Sequence, residues 1–312
     1  MAETEWWDLP LVPAAAGVAG VEDRSRFLRL HRAPRGGRAH GTVVVLHGGY
    51  WKNKFGLDDA YGNAGTISLH RFFWEKGFSA VEVEYRRRDH PGGGWPGTNE
   101  AEGAKQTEDI LSALTRISQL KAEGLEEGLP LSPQLGEAIQ SLRPERLILL
   151  GHSAGGCLAL WAAQRWSGTA GAVAPLVLAA APVADLVKGY EMKVSDEGDA
   201  VELYMKQPPT SESALEAYRL ASPAANLPVS FPLLIVYGDA DADVPPELVK
   251  AYAHAARAGA PALVSVLEIS QADHFQVVDA TSDAWRQAIV PALAQLVRQH
   301  YGEEAAMALE SN

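Results

Sequence analysis

The sequence is poor in cysteine, since Cys157 is its only one among 312 residues. A single cysteine excludes an intrachain disulfide and any zinc site built from several thiolates, and it is typical of a protein kept in a reducing compartment. Cys157 itself falls in an apolar helical pattern, where a thiol packs as a small core residue. Cysteine chemistry is therefore not expected to carry the function.

Positive charge and long apolar runs are also scarce. Lys and Arg total 27 against 39 Asp and Glu, so the net charge of -12 argues against a nucleic-acid or anionic-membrane surface. No run approaches the roughly 18 apolar residues of a membrane helix, and the acidic start MAETEWWDLP lacks the features of a signal peptide. We expect a soluble, cytoplasmic protein with a small-molecule substrate, and a homodimer is left open.

Short β-rich runs alternate with helical patterns along the chain. The runs lie at residues 26–30, 42–46, 79–85, 146–150, 176–180, 233–237 and 263–269, and the helical patterns at 66–76, 107–120, 154–166, 246–257 and 283–300. This alternation predicts an α/β fold with a mostly parallel central sheet covered by helices on both faces. The first run alternates polar and apolar residues, which favours a hairpin partner at the sheet edge. We interpret residues 1–312 as one domain.

Two segments depart from this alternation of strands and helices. Residues 121–141 are rich in Gly, Glu, Pro and Ser and are interpreted as a surface excursion. Residues 182–228 carry charge runs and a Pro-Pro pair where one crossover helix would have been enough. We interpret this second segment as a small cap inserted over the carboxyl edge of the sheet, the alternative being a solvent-exposed insertion without a role in function.

The string GHSAG at residues 151–155 has the pattern G-x-S-x-G between an apolar strand and a helix. A serine on so sharp a turn needs small neighbours, because its backbone is held in a strained conformation. The helix that begins at Ala154 directs N–H groups and a positive dipole end toward Ser153. Ser153 is therefore the candidate nucleophile.

A serine hydroxyl needs a base to take its proton and an acid to orient that base. The loop GDADADVP at residues 238–245 offers Asp239, Asp241 and Asp243, and the later string QADHF contains His274. Loops that follow strands of a parallel sheet meet at its carboxyl edge, so these residues are expected to converge on Ser153. The sequence alone leaves the choice among the three carboxylates open.

From residue 42 to residue 274 the chain resembles the α/β-hydrolases, whose triad follows the order Ser, Asp, His. In that family the acid stands three residues after a glycine and four before a proline, so the resemblance implies Asp241 as the acid. It also implies His274 as the base and a cofactor-independent acyl-enzyme mechanism without a metal. Asp239 and Asp243 remain the alternatives for the acid.

The string LHGGYW at residues 46–51 stands where that family places the loop that supplies oxyanion-hole donors. The resemblance implies the N–H groups of Gly49, Tyr50 and Ala154 as those donors, because glycine lets the main chain turn its amides toward the substrate. His47 is expected to be structural.

The same loop is similar to that of kynurenine formamidases (arylformamidases) and their esterase-like relatives, as is PGGGWPGT at residues 91–98. The leading substrate hypothesis is therefore an N-formyl arylamide of the kynurenine type. The alternatives are a small-acyl carboxylesterase and, from another class, a non-catalytic receptor on the same fold. Trp51 and Trp95 are either aromatic contacts to the substrate or core residues. The insertion at residues 99–106 departs from the formamidase pattern.

Overall fold

A computed structural model describes residues 6–11, 24–34, 36–58, 67–88, 105–124, 132–169 and 171–311. Within them, eight strands form one sheet in the order β1-β2-β4-β3-β5-β6-β7-β8. The strands are β1 Trp6–Pro10, β2 Phe27–His31, β3 Thr42–Leu46, β4 Ser79–Glu84, β5 Leu147–His152, β6 Leu176–Ala180, β7 Leu233–Gly238 and β8 Val264–Ile269. The first two strands join antiparallel, and all other neighbours from β4 to β8 are parallel.

The helices cover both faces of this sheet. They are α1 Ile67–Glu75, α2 Lys105–Glu123, α3 Pro133–Ser141, α4 Ala154–Ser167, α5 Leu186–Glu191, α6 Ala200–Met205, α7 Glu212–Ala221, α8 Pro246–Gly259, α9 Val290–Tyr301 and α10 Glu303–Glu310. Alternate residues of the strands point into two buried clusters, one shared with α2, α4 and α8 and the other with α1, α9 and α10. Among the described residues, no helix is both long and apolar enough to cross a membrane.

The first predicted strand belongs to the antiparallel pair at the sheet edge. That strand is β2, and β1 pairs with it on the outer side, so β1 forms the edge. Arg29 on β2 donates from Nε to Asp8 Oδ1 on β1 over 2.7 Å, which ties the two strands together. The contact joins distant parts of the chain, and for this reason the local pattern does not reveal it.

The predicted surface excursion contains a packed helix. Ser132 caps α3 by accepting a hydrogen bond from the Leu135 N–H at 3.1 Å, and Pro133 occupies the first turn. Leu135 and Ile139 are buried in the core. The serine and proline that suggested a loop are thus helix-start signals. Residues 125–131 of this segment, and 99–104 of the other insertion, lie outside the described residues.

The segment 182–228 folds as three short helices, α5 to α7, and a 3₁₀ turn at Pro223–Asn226. It is not a loose surface insertion, because it contributes buried side chains such as Tyr204 and Tyr218 to the same core cluster as the sheet. Trp161 of α4 donates from its indole nitrogen to the Leu220 carbonyl over 2.9 Å. A role as a functional cap stays a prediction.

Candidate active site

Ser153 stands on a strained turn between β5 and α4. Its backbone has φ 56° and ψ -118°, a region that residues with a side chain rarely adopt. The neighbouring glycines make this turn possible: a Cβ on Gly151 would lie 2.3 Å from the Gly155 carbonyl oxygen, and one on Gly155 would lie 2.3 Å from that of His47. Strand, helix and the loop after β3 therefore approach one another more closely than any larger residue allows.

His274 and Asp241 form a buried hydrogen-bonded pair on the loops after β8 and β7. The His274 Nδ1 lies 2.7 Å from Asp241 Oδ2, and the two side chains are 4% and 0% exposed. The other carboxylate oxygen accepts from the N–H groups of Asp243 and Val244 at 2.9 and 2.8 Å. With Nδ1 donating to a fixed carboxylate, Nε2 is the nitrogen free to take a proton.

The two alternative carboxylates of the same loop have other partners. Asp239 accepts a hydrogen bond from the Gln271 N–H at 2.5 Å. Asp243 accepts one from the Tyr50 hydroxyl, which reaches across from the loop after β3. Neither contact involves His274, and the role of Asp241 as the orienting acid is carried forward as a proposal.

His152 occupies the first variable position of the G-x-S-x-G string, and it forms a hydrogen bond with the main chain of His274. It is buried, and its Nε2 donates to the His274 carbonyl oxygen over 2.9 Å. Burial, and then the nearby His274 ring, lower the pKa of His152 well below its usual range, so it serves as a neutral donor. The sequence did not single out this residue, although its place beside the candidate nucleophile is a usable signal.

The loop 47–51, which we call the oxyanion loop, runs directly beside Ser153. A Cβ on Gly48 would lie 3.2 Å from the Ser153 Cβ. Gly49, Tyr50 and Trp51 follow with φ of 104°, 52° and 57°, three positive values in succession. This conformation turns the main chain sharply at the point where oxyanion donors are expected, and the donor roles of the Gly49, Tyr50 and Ala154 amides are carried forward as a proposal.

His47 is a packing residue of this loop. Its ring stacks on Tyr85 at a centroid distance of 4.4 Å, and its Nδ1 donates to the Gly48 carbonyl oxygen over 2.8 Å. The Tyr85 hydroxyl donates in turn to the His47 carbonyl oxygen at 2.8 Å. These contacts favour the structural role expected from the sequence.

Trp51 lies in the core, while Trp95 lies outside the described residues. The Trp51 ring is 1% exposed and stacks on Tyr204 of α6, with centroids 4.3 Å apart and planes 13° apart. This placement favours packing between the oxyanion loop and the cap over contact with a substrate. The substrate-binding roles of both tryptophans stay predictions.

Trp51→Ala is expected to lower the free energy of unfolding by about 3–5 kcal/mol, because the buried ring leaves a cavity against Tyr204. Urea denaturation measures this loss, and Trp51→Phe, which keeps an aromatic ring, should lose less. A Trp51→Ala protein with unchanged stability and a raised KM would instead assign the ring to the substrate.

His31, His70 and Glu82 form the one group among the described residues that offers three potential metal-ligating atoms within 4.8 Å. The two imidazoles stack at 4.1 Å with planes 14° apart, so a single ion cannot lie in both ring planes. Burial lowers the pKa of His31, and its Nε2 donates to Glu82 over 2.8 Å. The group lies on β2, α1 and β4, whereas Ser153 lies between β5 and α4.

Residues 136–292, half of the chain, match the model of the prolyl oligopeptidase family, and this stretch contains Ser153, Asp241 and His274. The chain belongs to the prolyl oligopeptidase family. As a member of that family it is a serine hydrolase with an α/β-hydrolase fold, which favours an enzyme over a non-catalytic receptor. Neither the family nor the neighbours below support the arylformamidase branch in particular.

Solved structures with the same fold include several esterases. A bifunctional GH43-CE protein from Bacteroides eggerthii matches with a TM-score of 0.65 and 15% identity over 93% of this chain, which spans only 38% of that protein. Esterase 2 of Thermogutta terrifontis with propionate bound matches at 0.58 and 18%, covering 88% of this chain and 90% of that one. Lactobacillus rhamnosis esterase B with a tributyrin phosphonate inhibitor matches at 0.63 and 17%, covering 97% and 90%. A comparison with curated proteins gave no match.

Proposed function

We propose that this family member hydrolyses small acyl esters through an acyl-enzyme intermediate. The observation that carries the proposal is the buried 2.7 Å hydrogen bond between His274 and Asp241. It lies at the same sheet edge as Ser153, whose strained turn presents a hydroxyl next to the oxyanion loop. In this proposal Ser153 is the nucleophile, His274 the general base and acid, and Asp241 the group that orients the imidazole.

The reaction follows from these positions. As the Ser153 oxygen attacks the ester carbonyl carbon, His274 Nε2 takes the hydroxyl proton and the carbonyl oxygen becomes an oxyanion. The amides of Gly49, Tyr50 and Ala154 are the proposed donors to that oxyanion. Collapse of the tetrahedral intermediate breaks the carbon–oxygen bond to the leaving alcohol, which receives the proton from His274. Water, activated by the same histidine, then releases the acid and restores the serine.

The esterases of the same fold support the proposal that the substrate carries a small acyl group. Their structures carry propionate and a tributyrin phosphonate, which are short acyl ligands of those proteins. This chain covers 90% of each of those two chains, so the shared fold extends over nearly their whole length. We carry the substrate class over as a proposal only.

Hydrolysis of an N-formyl arylamide is the second candidate, favoured by the HGGYW string of the oxyanion loop. A formyl group has only hydrogen on its carbonyl carbon, so it needs almost no acyl pocket. Tyr50 and Trp51, two residues of this loop, are both buried, and in this second candidate their rings fill the space of an acyl pocket. The two candidates therefore differ in how activity changes with acyl length.

An acyl series at a fixed aryl leaving group separates them. For the proposed esterase, kcat/KM should rise about fourfold for each methylene from acetyl to butyryl p-nitrophenyl esters, since each buried methylene contributes about 0.8 kcal/mol. N-formylkynurenine and a peptidyl p-nitroanilide should be cleaved slowly. Activity that falls steeply from formyl to butyryl, with rapid turnover of N-formylkynurenine, would support the formamidase instead. Ser153→Ala protein provides the control for uncatalysed hydrolysis.

A further inference from the structure

The oxyanion loop holds a conformation that its own sequence does not favour. Tyr50 and Trp51 both have positive φ, which costs energy for residues with a Cβ and persists only where surrounding contacts impose it. Whatever holds these two residues therefore determines where the proposed oxyanion donors lie.

Two of the holding contacts come from the cap. The Trp51 ring stacks on Tyr204 of α6, and the Lys52 ammonium pairs with Glu197 just before that helix. Both contacts attach the carboxyl-terminal end of the oxyanion loop to the cap. Neither reaches the loop 239–245, which we call the acid loop.

The third contact reaches the acid loop. The Tyr50 hydroxyl donates a hydrogen bond to the Asp243 carboxylate, and the Tyr50 side chain is almost fully buried at 5% exposure. The Asp243 N–H donates to Asp241 Oδ1 at 2.9 Å, and the other oxygen of Asp241 accepts from His274. A continuous set of hydrogen bonds thus links the oxyanion loop to the acid that orients the base.

We propose that the Tyr50–Asp243 hydrogen bond positions the oxyanion loop relative to the acid loop, so that the oxyanion donors and the His274–Asp241 pair keep a fixed mutual geometry. The inference rests on the proposed function, because it assigns the loop its role in catalysis. Tyr50 acts here through its hydroxyl as a positioning residue, in addition to the donor role proposed for its amide. A half-buried hydrogen bond to a carboxylate suits this task, since it is both directional and strong.

The test is Tyr50→Phe, which removes the hydroxyl and keeps the ring. We expect kcat on a p-nitrophenyl ester to fall on the order of 10- to 100-fold with KM nearly unchanged, the loss that a small displacement of catalytic groups produces. Binding of a trifluoromethyl ketone, which forms an oxyanion on Ser153, should weaken by the same factor as kcat/KM. A merely structural role would lower the melting temperature without that parallel loss.

Asp243→Ala should reproduce the Tyr50→Phe result, and the double variant should be no worse than either single variant, because both remove the same interaction. Tyr237→Phe is the matched control, since the Tyr237 hydroxyl also donates to a carboxylate, Glu268, at 2.8 Å but on β7 and β8. Its kcat should stay at the wild-type value.

Wild-type kcat in folded Tyr50→Phe protein, or losses that add in the double variant, would overturn the inference while leaving the proposed function intact. Absence of ester turnover and of fluorophosphonate labelling in the wild-type protein would overturn the proposed function and the inference with it. If Tyr50→Phe fails to fold, Asp243→Ala gives the same readouts and decides the question alone.

Discussion

Ser153→Ala protein is expected to lose about 10⁶-fold in kcat on a p-nitrophenyl ester, the size of loss seen when a serine nucleophile is removed from a triad enzyme. Without the hydroxyl no acyl-enzyme forms, and only binding and the oxyanion donors remain to assist attack by water. The free energy of unfolding should change by less than about 1 kcal/mol, because alanine leaves the surrounding glycine contacts intact.

Cys157→Ala is the matched control for this experiment. Cys157 lies in α4 and is buried, and burial raises the pKa of its thiol, so it is neither accessible nor ionised. Its substitution should leave kcat close to the wild-type value. Near wild-type turnover by Ser153→Ala would end the assignment of the nucleophile, and inactivation by a reagent bound to Cys157 would contradict the core placement.

Asp241→Asn is expected to lower kcat by about 10⁴-fold, as the same change does in other triads. The amide oxygen can still accept from the Asp243 and Val244 N–H groups, so the loop should keep its fold. What changes is the partner of His274 Nδ1: an amide can present its NH₂ there, which favours the tautomer that cannot take the serine proton. Steady-state kinetics with a circular dichroism spectrum measures both effects.

Asp243→Asn is the companion variant, because asparagine keeps an acceptor for the Tyr50 hydroxyl. Its loss in kcat should be at least 100-fold smaller than that of Asp241→Asn. A larger loss for Asp243→Asn than for Asp241→Asn would show that Asp243, not Asp241, is the orienting acid.

The fold and the Ser153 turn could be predicted from local sequence because each depends on neighbouring residues. Apolar runs flanked by helical patterns mark strands buried on both faces, and six of the seven predicted runs occupy parallel strands of the sheet. The glycines around Ser153 are likewise required by contacts within the same turn and with the adjacent loop. The patterns also place His274 after the last strand.

Features set by contacts between distant segments could not be read in this way. The β1 edge strand depends on pairing with β2, and the donation from His152 to the His274 carbonyl joins residues 122 positions apart. The proposal of Asp241 over its neighbours depends on which carboxylate meets a histidine 33 residues later. Local patterns carry no information about such distances.

The substrate was the least predictable part of the account. The arylformamidase hypothesis depended on short strings, and one of them, at residues 91–98, lies outside the described residues. The family match supports the chemistry, and the esterase structures support the fold. Acyl-group preference depends on loops, and the side chains of those loops vary independently of the fold. Oligomeric state and location in the cell likewise stay predictions.

The central claim is that Ser153 is the nucleophile, and covalent labelling with a fluorophosphonate tests it most directly. Intact-protein mass spectrometry should show one adduct per chain, and peptide mapping should place it on Ser153. The adduct should be absent from Ser153→Ala protein and form much more slowly on Asp241→Asn protein. An adduct on another residue, or ester turnover by a wild-type protein that takes up no label, would contradict the account.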